Sequence, residues 1–447
     1  MLELGIPQLR QVATALAALP RDVSDAERIG LITTLERLKN AASAAQAMAA
    51  VDVDHSQRAA QVEAQVPARR VGEGVAAQLG LARRESPFRG ARWLSVARVL
   101  RTQMPHTQMP HTLRLMASGA LSEHRASILV KETDCLDETD RRHVDHALCG
   151  AGGNAASLST RALEQAARRH ALQLDTSAVV ERAAKAEADR HVTIRPAPDT
   201  MTWVGALLPV KQGVGVYAAL KRVADLARAA GDPRSRGQVM ADTLFERVTG
   251  ASAAEPVSIT LDLVMTDRAF FATTDEAAHL PGYGPVAASW ARALTHQALS
   301  HDTLDGAQLW VRRLYITPGT GCLVTMDSRA RRAPKRLARF IARRDHDLCR
   351  TPWCGAPIAQ TDHVTDWADG APTTVTNTQG LCIRCNLAKQ AHGWRARPLP
   401  GAGRTHRHTV ATTAPTGHTY HSRAPAPPGH VDVSTSPVEQ LLYDLIA

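Results

Sequence analysis

Residues Arg343–Trp394 read RRDHDLCRTPWCGAPIAQTDHVTDWADGAPTTVTNTQGLCIRCNLAKQAHGW, and four of the chain's seven cysteines lie inside this stretch. They form two close pairs, Cys349-x4-Cys354 and Cys382-x2-Cys385, with 27 residues between them. Each pair can offer two thiolates from one tight turn, which is what tetrahedral Zn²⁺ selects, and Pro352 and Gly355 are turn formers at the first pair. Between and just after the pairs stand Asp362-His363, Asn377, Asn386 and Lys389. A hard cation such as Mg²⁺ or Mn²⁺ takes oxygen ligands, and the Asp362 carboxylate and the Asn386 amide can supply them. His363 is the residue type for a general base that works near neutrality. On a strand Asp362 and His363 point to opposite faces, so they act together only at a bend or a strand end. Taken singly, each has a plainer origin in a surface Asp-His pair and a helix-capping Asn. The other three cysteines, Cys135, Cys149 and Cys322, are scattered and read as small buried hydrophobes.

Outward from this stretch the chain is mainly helical. Residues 8–65 read as helix with a break near Pro20, because Leu31, Leu35 and Leu38 recur at helical spacing and Gly and Pro are absent from Leu31 to Val66. A short helical piece over Gly72–Leu79 is followed by a turn at Leu79-Gly80-Leu81. A new helix is capped by Ser86 with Pro87 in its first position. The pair resembles a helix-turn-helix that would offer Arg89, Arg92 and Arg98 to DNA, although an ordinary αα-hairpin is the commoner origin of such a pair. Next comes an immediate duplication, Thr102-Gln103-Met104-Pro105-His106 and Thr107-Gln108-Met109-Pro110-His111. Proline breaks a helix interior, so the duplication reads as a lengthened surface loop. Residues 113–149 continue helical, punctuated at Gly119 and Asp134, and Asn154–Asp189 reads as one long helix. Alternation predicts strands over 190–195, 201–208 and 257–265, helices over 213–230, 235–249 and onward from Ala287, and a hairpin from 310–316 and 322–326 around Pro318-Gly319-Thr320-Gly321. The tail turns Pro-, Thr- and His-rich, with Pro437–Ile446 as one short helix. The layout is thus 1–325 mainly helical with a small β component, a compact module over 326–397 with its core at 343–394, and a tail over 398–447.

The full chain has 447 residues, enough for two to four domains at ~100–200 residues each. It carries 53 basic and 43 acidic side chains, net +10, and residues 301–447 hold +7 of that excess. Nine basic residues and two acidic ones lie between Arg329 and Arg350, so the partner expected from charge is a polyanion, most simply nucleic acid. No run approaches the ~18 apolar residues of a membrane span, so no membrane partner is expected. The opening MLELGIPQLR lacks a basic segment followed by an apolar one, and the expected location is the cytoplasm, where thiols stay reduced. Residues 1–325 contain no P-loop, no G-x-S-x-G and no dinucleotide fingerprint.

The order His363, Asn377, Asn386 between and beside two cysteine pairs resembles the HNH nuclease family with its ββα-metal site. Upstream, GDPRSRGQVMADTLFERVTG, LVMTDRAFF, PGYGPV and RRLYITPGTGCLVTMDSR resemble the family known as domain of unknown function 222, which commonly precedes such a module. The resemblance implies a metal-dependent DNA endonuclease. His363 would be the general base. Asn377 would brace the loop. Asp362 and Asn386 would hold Mg²⁺ or Mn²⁺, and Cys349, Cys354, Cys382 and Cys385 would hold structural Zn²⁺. Asn386 stands where the family more often has His, so the site is an H-N-N variant. Arg343, Arg344, Arg350, Arg384 and Lys389 are the expected phosphate contacts. One active site cuts one strand, so a double-strand break needs a homodimer or two visits. The alternatives are a zinc-stabilised nucleic-acid-binding protein with a non-cleaving site, and a scaffold whose helical part binds a protein partner.

Overall fold

The computed structural model describes residues 5–19, 22–101, 108–252, 263–271, 274–300, 333–400 and 407–428. The chain is mostly helical with small antiparallel sheets. It divides into two compact units, Met1–Ser56 with Arg92–Arg182, and Gln57–Ala91 with Ala183–Ala447. Among the described residues nine helices come first: α1 (Ile6–Ala17), α2 (Asp25–Glu63), α3 (Val75–Ala82), α4 (Pro87–Leu100), α5 (Pro110–Ala117), α6 (Glu123–Glu132), α7 (Glu138–Cys149), α8 (Thr160–Leu174) and α9 (Thr176–Ala188). No helix among the described residues is long and apolar enough to cross a membrane.

The first unit is built on a core of Leu100, Met109, Met116, Leu121, Leu129, Val144, Leu148 and Leu163, closed by small residues such as Ala44 and Ala167. Two buried carboxylates organise it. Asp145 accepts from the backbone N–H groups of His111 and Thr112 at 2.8 Å each and from the Thr112 hydroxyl at 2.6 Å, which caps the start of α5. Glu132 accepts from Arg168 Nε at 3.0 Å and lies 3.4 Å from Arg182 Nη2. The second copy of the duplicated pentapeptide is not a surface loop: Met109 is fully buried and Pro110 opens α5. Proline suits a helix's first position, where its missing N–H has no partner to lose. The first copy lies outside the described residues. The single helix expected over 154–189 is two. Asp175 ends α8 and caps α9, its Oδ1 accepting from Ser177 Oγ at 2.6 Å and from Ala178 N at 2.9 Å; a short carboxylate that satisfies the next helix's first donors ends the one before it.

In the second unit, Gly80 does not form the turn between α3 and α4. It lies inside α3, and the turn comes at Arg83–Ser86, with Ser86 accepting from Arg89 N at 3.3 Å. Both glycines of the pair are required by close approach: a Cβ on Gly80 would sit 2.9 Å from Ser86 O and 3.1 Å from Glu85 O, and one on Gly90 2.3 Å from Ala76 O and 2.8 Å from Gly80 N. The pair is a tight αα-hairpin. Strands β1 (His191–Ala197) and β2 (Met201–Leu207) form an antiparallel hairpin turned at Asp199 and Thr200, both left-handed. Then follow α10 (Val210–Ala229), α11 (Arg236–Thr249), α12 (Asp267–Phe270), the short pair β3 (Ala278–Leu280) and β4 (Gly284–Val286), and α13 (Ala288–Ser300). The strands expected over 257–265 and 310–326 and the helix over 437–446 lie wholly or mostly outside the described residues; Val264 forms a single bridge with His279.

The C-terminal part holds α14 (Lys335–Arg344), β5 (Gln360–His363), β6 (Thr378–Leu381), α15 (Ile383–Lys389), and β7 (Arg395–Pro398), β8 (Thr409–Thr413) and β9 (Thr419–Arg423) in a three-stranded antiparallel sheet. Strands β8 and β9 make residues 407–424 part of this module, beyond the expected boundary at 397. The 57–91 segment belongs to the same unit: Arg70 Nη2 donates to the carbonyl of Gln390 at 3.1 Å. Gly74 has φ +83°, and a Cβ there would meet Trp394 Nε1 at 2.4 Å.

Candidate functional site

Cys349 enters the module at the end of a tight loop, where its N–H donates to the Ala356 carbonyl at 2.8 Å and Cys354 N donates to Thr351 O at 3.1 Å. Trp353 and Gly355 take left-handed φ values of 60° and 61° to fold this loop back on itself. Cys382 caps the start of α15, its sulfur accepting from Cys385 N at 3.4 Å. The four sulfurs thereby converge within 4.8 Å of one another, with Cys354 3.7 Å from Cys382 and 3.6 Å from Cys385. A tetrahedral zinc at ~2.3 Å from each sulfur spaces them roughly 3.8 Å apart, so the cluster fits Zn²⁺. Hydrogen bonds from Cys354 and Cys385 push Cys349 down, and the shared bonds to Cys349 push Cys354 and Cys385 up. Without a dication one thiolate is favoured and further ionisation is opposed.

Beside the cluster, β5 and β6 pair antiparallel with Asp362 opposite Gln379 and His363 opposite Thr378. Alternation puts Gln360 and Asp362 on one face and His363 on the other. His363 is the last residue of β5, where the chain bends away, and its Nε2 lies 2.8 Å from Thr373 Oγ1. Asn377 closes the loop between the strands. Its Oδ1 accepts from Thr365 N at 2.9 Å, and its Nδ2 donates to the carbonyls of Thr365 and Pro372 at 3.0 Å each. Asn377→Ala should therefore remove three hydrogen bonds that hold the loop and cost about 1–3 kcal/mol. Urea denaturation together with hydrogen exchange checks this, and an unchanged exchange rate at the Thr365 amide would contradict the brace.

The face of β5 that carries Asp362 meets α15. Asn386 and Lys389 are three residues apart on that helix and share a side. Asn386 Nδ2 donates to Gln360 Oε1 at 2.6 Å. Lys389 Nζ donates to the His363 carbonyl at 2.8 Å and to Asp366 Oδ1 at 2.6 Å, and lies 3.1 Å from Asp362 Oδ2. That carboxylate oxygen is buried, and it meets the ammonium as an ion pair without hydrogen-bond geometry. Burial pushes the Asp362 carboxyl up, and Lys389 pulls it part of the way back. Oxygen donors and an unsatisfied buried carboxylate fit a hard divalent ion in kind, although the ammonium stands at the carboxylate.

The five expected phosphate contacts separate. Arg384 is exposed, its guanidinium 5.1 Å from the Phe88 ring. Arg343 is half-buried and pairs with Asp347 at 2.6 Å. Arg344 is buried, held by Asp345 at 2.8 and 3.0 Å and donating to the carbonyls of Val375 and Thr378 at 2.7 and 2.8 Å. Arg350 is buried too, and donates to the carbonyls of His408 and Ser422 at 3.0 and 2.7 Å. Burial pushes its guanidinium down to about 10. Lys389 is turned inward, as described. Arg344, Arg350 and Lys389 are thus internal struts rather than surface cations. Sequence reading missed Asp345, whose Oδ2 also accepts from Gly380 N at 2.9 Å, and His408, whose Nε2 lies 2.9 Å from Thr376 O. Asp345 carries one signal, an acid set among nine bases; His408 carries none.

Residues 32–345 match a family described as "Domain of unknown function (DUF222)". No curated protein matches the chain. No solved structure matches it either.

Proposed function

The chain belongs to the DUF222 family, and from that premise and the site at β5, β6 and α15 we propose that its C-terminal module is an HNH endonuclease that hydrolyses phosphodiester bonds in DNA with a divalent metal ion. The observation that carries this reading is the ββα arrangement itself. It sets His363 at a strand end above an Asn377-braced loop, and sets Asp362 and Asn386 on facing elements beside a four-cysteine cluster. In this reading His363 takes the proton of the attacking water at its imidazole, and Thr373 and Asn377 hold the ring and loop in place. Asp362 and Asn386 would hold the Mg²⁺ or Mn²⁺ ion. When bound, that ion neutralises charge on the phosphate and the departing 3′ oxygen, an electrostatic contribution of several kcal/mol. Exposed Lys335, Arg336 and Arg339 on α14, with Arg384 on α15, supply non-specific, salt-sensitive affinity for the backbone. Two of these modules would cut both strands.

A second reading has an observation of its own. The Lys389 ammonium against Asp362 suits a module that binds nucleic acid without cutting it. Supercoiled plasmid incubated with purified protein and Mg²⁺, Mn²⁺ or EDTA, beside His363→Ala, decides between the two. The nuclease predicts metal-dependent nicking or linearisation that falls about 10²–10⁴-fold in the variant, the usual contribution of a general base. No cleavage with either ion, with an equal salt-sensitive gel shift for both proteins, would establish the binding module instead.

A further inference from the structure

We propose that the Lys389 ammonium is a displaceable counter-ion built into the site, which a divalent cation must expel from Asp362 before it can bind. The inference rests on the reading of Asp362 and Asn386 as cation ligands.

The geometry that carries it is a pair of rungs between α15 and β5. Gln360 and Asp362 share one face of the strand, Asn386 and Lys389 share one side of the helix, and Asn386 bonds Gln360 while Lys389 meets Asp362. The ammonium is not a passing surface charge: its side chain is 7% exposed and its nitrogen has the His363 carbonyl, Asp366 and Asp362 around it at 2.8, 2.6 and 3.1 Å. The carbonyls of His363 and Val364 and the Asp366 carboxylate take its hydrogen bonds, and the Asp362 oxygen faces it as an ion pair. That oxygen is the one a metal ion would take. A dication on Asp362 and the ammonium 3.1 Å from the same oxygen would repel strongly in a partly buried place, so the two exclude one another. The structure also holds a second berth for the amine. Asp366 lies at the rim with its side chain 51% exposed, and a lysine that swings outward keeps that partner while releasing Asp362. The same motion frees the cation to meet a phosphate once the metal ion is seated.

The test uses the full-length, zinc-loaded protein and Mn²⁺ as probe, titrated by electron paramagnetic resonance. Lys389→Met is expected to bind Mn²⁺ about tenfold more tightly than the natural protein, a change of roughly 1.4 kcal/mol, and adding Asp362→Asn should abolish the gain. Zinc content and circular dichroism report whether the variant is folded. A second measurement needs no variant: amine acetylation followed by mass spectrometry should show Lys389 protected alone and labelled faster as Mn²⁺ is added. Equal or weaker Mn²⁺ binding by a folded Lys389→Met would overturn the proposal. So would Lys389 labelling that does not respond to bound Mn²⁺, or Mn²⁺ binding by neither protein. Plasmid cleavage separates this from the nuclease reading. Cleavage with an unresponsive Lys389 sinks the counter-ion alone; a responsive Lys389 without cleavage sinks the nuclease alone.

Discussion

Stripping zinc with a chelator, or replacing Cys385 by alanine, should unfold the module that runs from α14 to β9. The local core there consists of Cys349, Leu381 and Cys385, with Cys354, Ala356 and Cys382 packed against it. Four of those six residues are the sulfur donors, so this cluster has little apolar burial of its own; the module's other core, Leu337, Phe340, Ile341 and Val375, lies under α14. Structural zinc in comparable small sites supplies about 10–16 kcal/mol of apparent binding free energy, which matches or exceeds the ~5–15 kcal/mol that stabilises a whole domain. Acid acts in the same direction, because the ligands must be thiolates and protons compete for them. The measurement is limited trypsin digestion with zinc release followed by a colorimetric chelator. Cleavage should appear first within residues 343–424, while α5–α8, with their own leucine and methionine core, stay resistant. A zinc-free protein as resistant as the loaded one would remove the structural role from the cluster.

The second large effect is expected at Asp345. Its carboxylate is 1% exposed and holds Arg344 through two bonds, the Gly380 N–H through a third, and Arg350 Nε at 3.5 Å. Asp345→Ala leaves two buried guanidinium groups without their shared counter-charge, which typically costs about 3–5 kcal/mol. Arg343→Ala, one residue from the network, removes a partly exposed pair with Asp347 and should cost under about 1 kcal/mol. Urea denaturation of both variants gives the contrast. Equal losses would mean that the buried network is not what ties α14 and β6 together.

Arg343 and Arg344 also show what the sequence could reveal and what it could not. Both belong to one basic run, and nothing local distinguishes the arginine that faces water from the one that faces Asp345. That choice is made by α14 lying on β6, a contact between segments more than thirty residues apart. The cysteine pairs were legible because a metal knuckle is a local device, with ligands, turn residues and spacing in a few positions. The positions of Asn377 in a loop brace and of His363 at a strand end have no local pattern of their own, and only the HNH resemblance singles them out. The break at Asp175 was missed because a capping carboxylate inside a helix-forming run looks like any exposed acid. Gly80 was misplaced for the opposite reason. A glycine signal suggests conformational freedom, whereas the structure uses this one as room for the carbonyls of Glu85 and Ser86. The β8–β9 hairpin hid in a Pro-, Thr- and His-rich composition, and only the carbonyls it presents to Arg350 reveal it as part of the module.

The bond from Arg70 to the Gln390 carbonyl spans 320 residues of chain. During synthesis at ~5–20 residues per second, the α3–α4 hairpin leaves the ribosome roughly 15–60 s before the helix it is to pack against exists. For that interval Gly74, shaped to receive Trp394, faces water, and the early-made segment must neither aggregate nor find another partner. The closing step of assembly therefore waits for α15 and Trp394. Cells short of zinc should accumulate chains whose amino-terminal half has long since folded around its own core while residues 57–91 still wait.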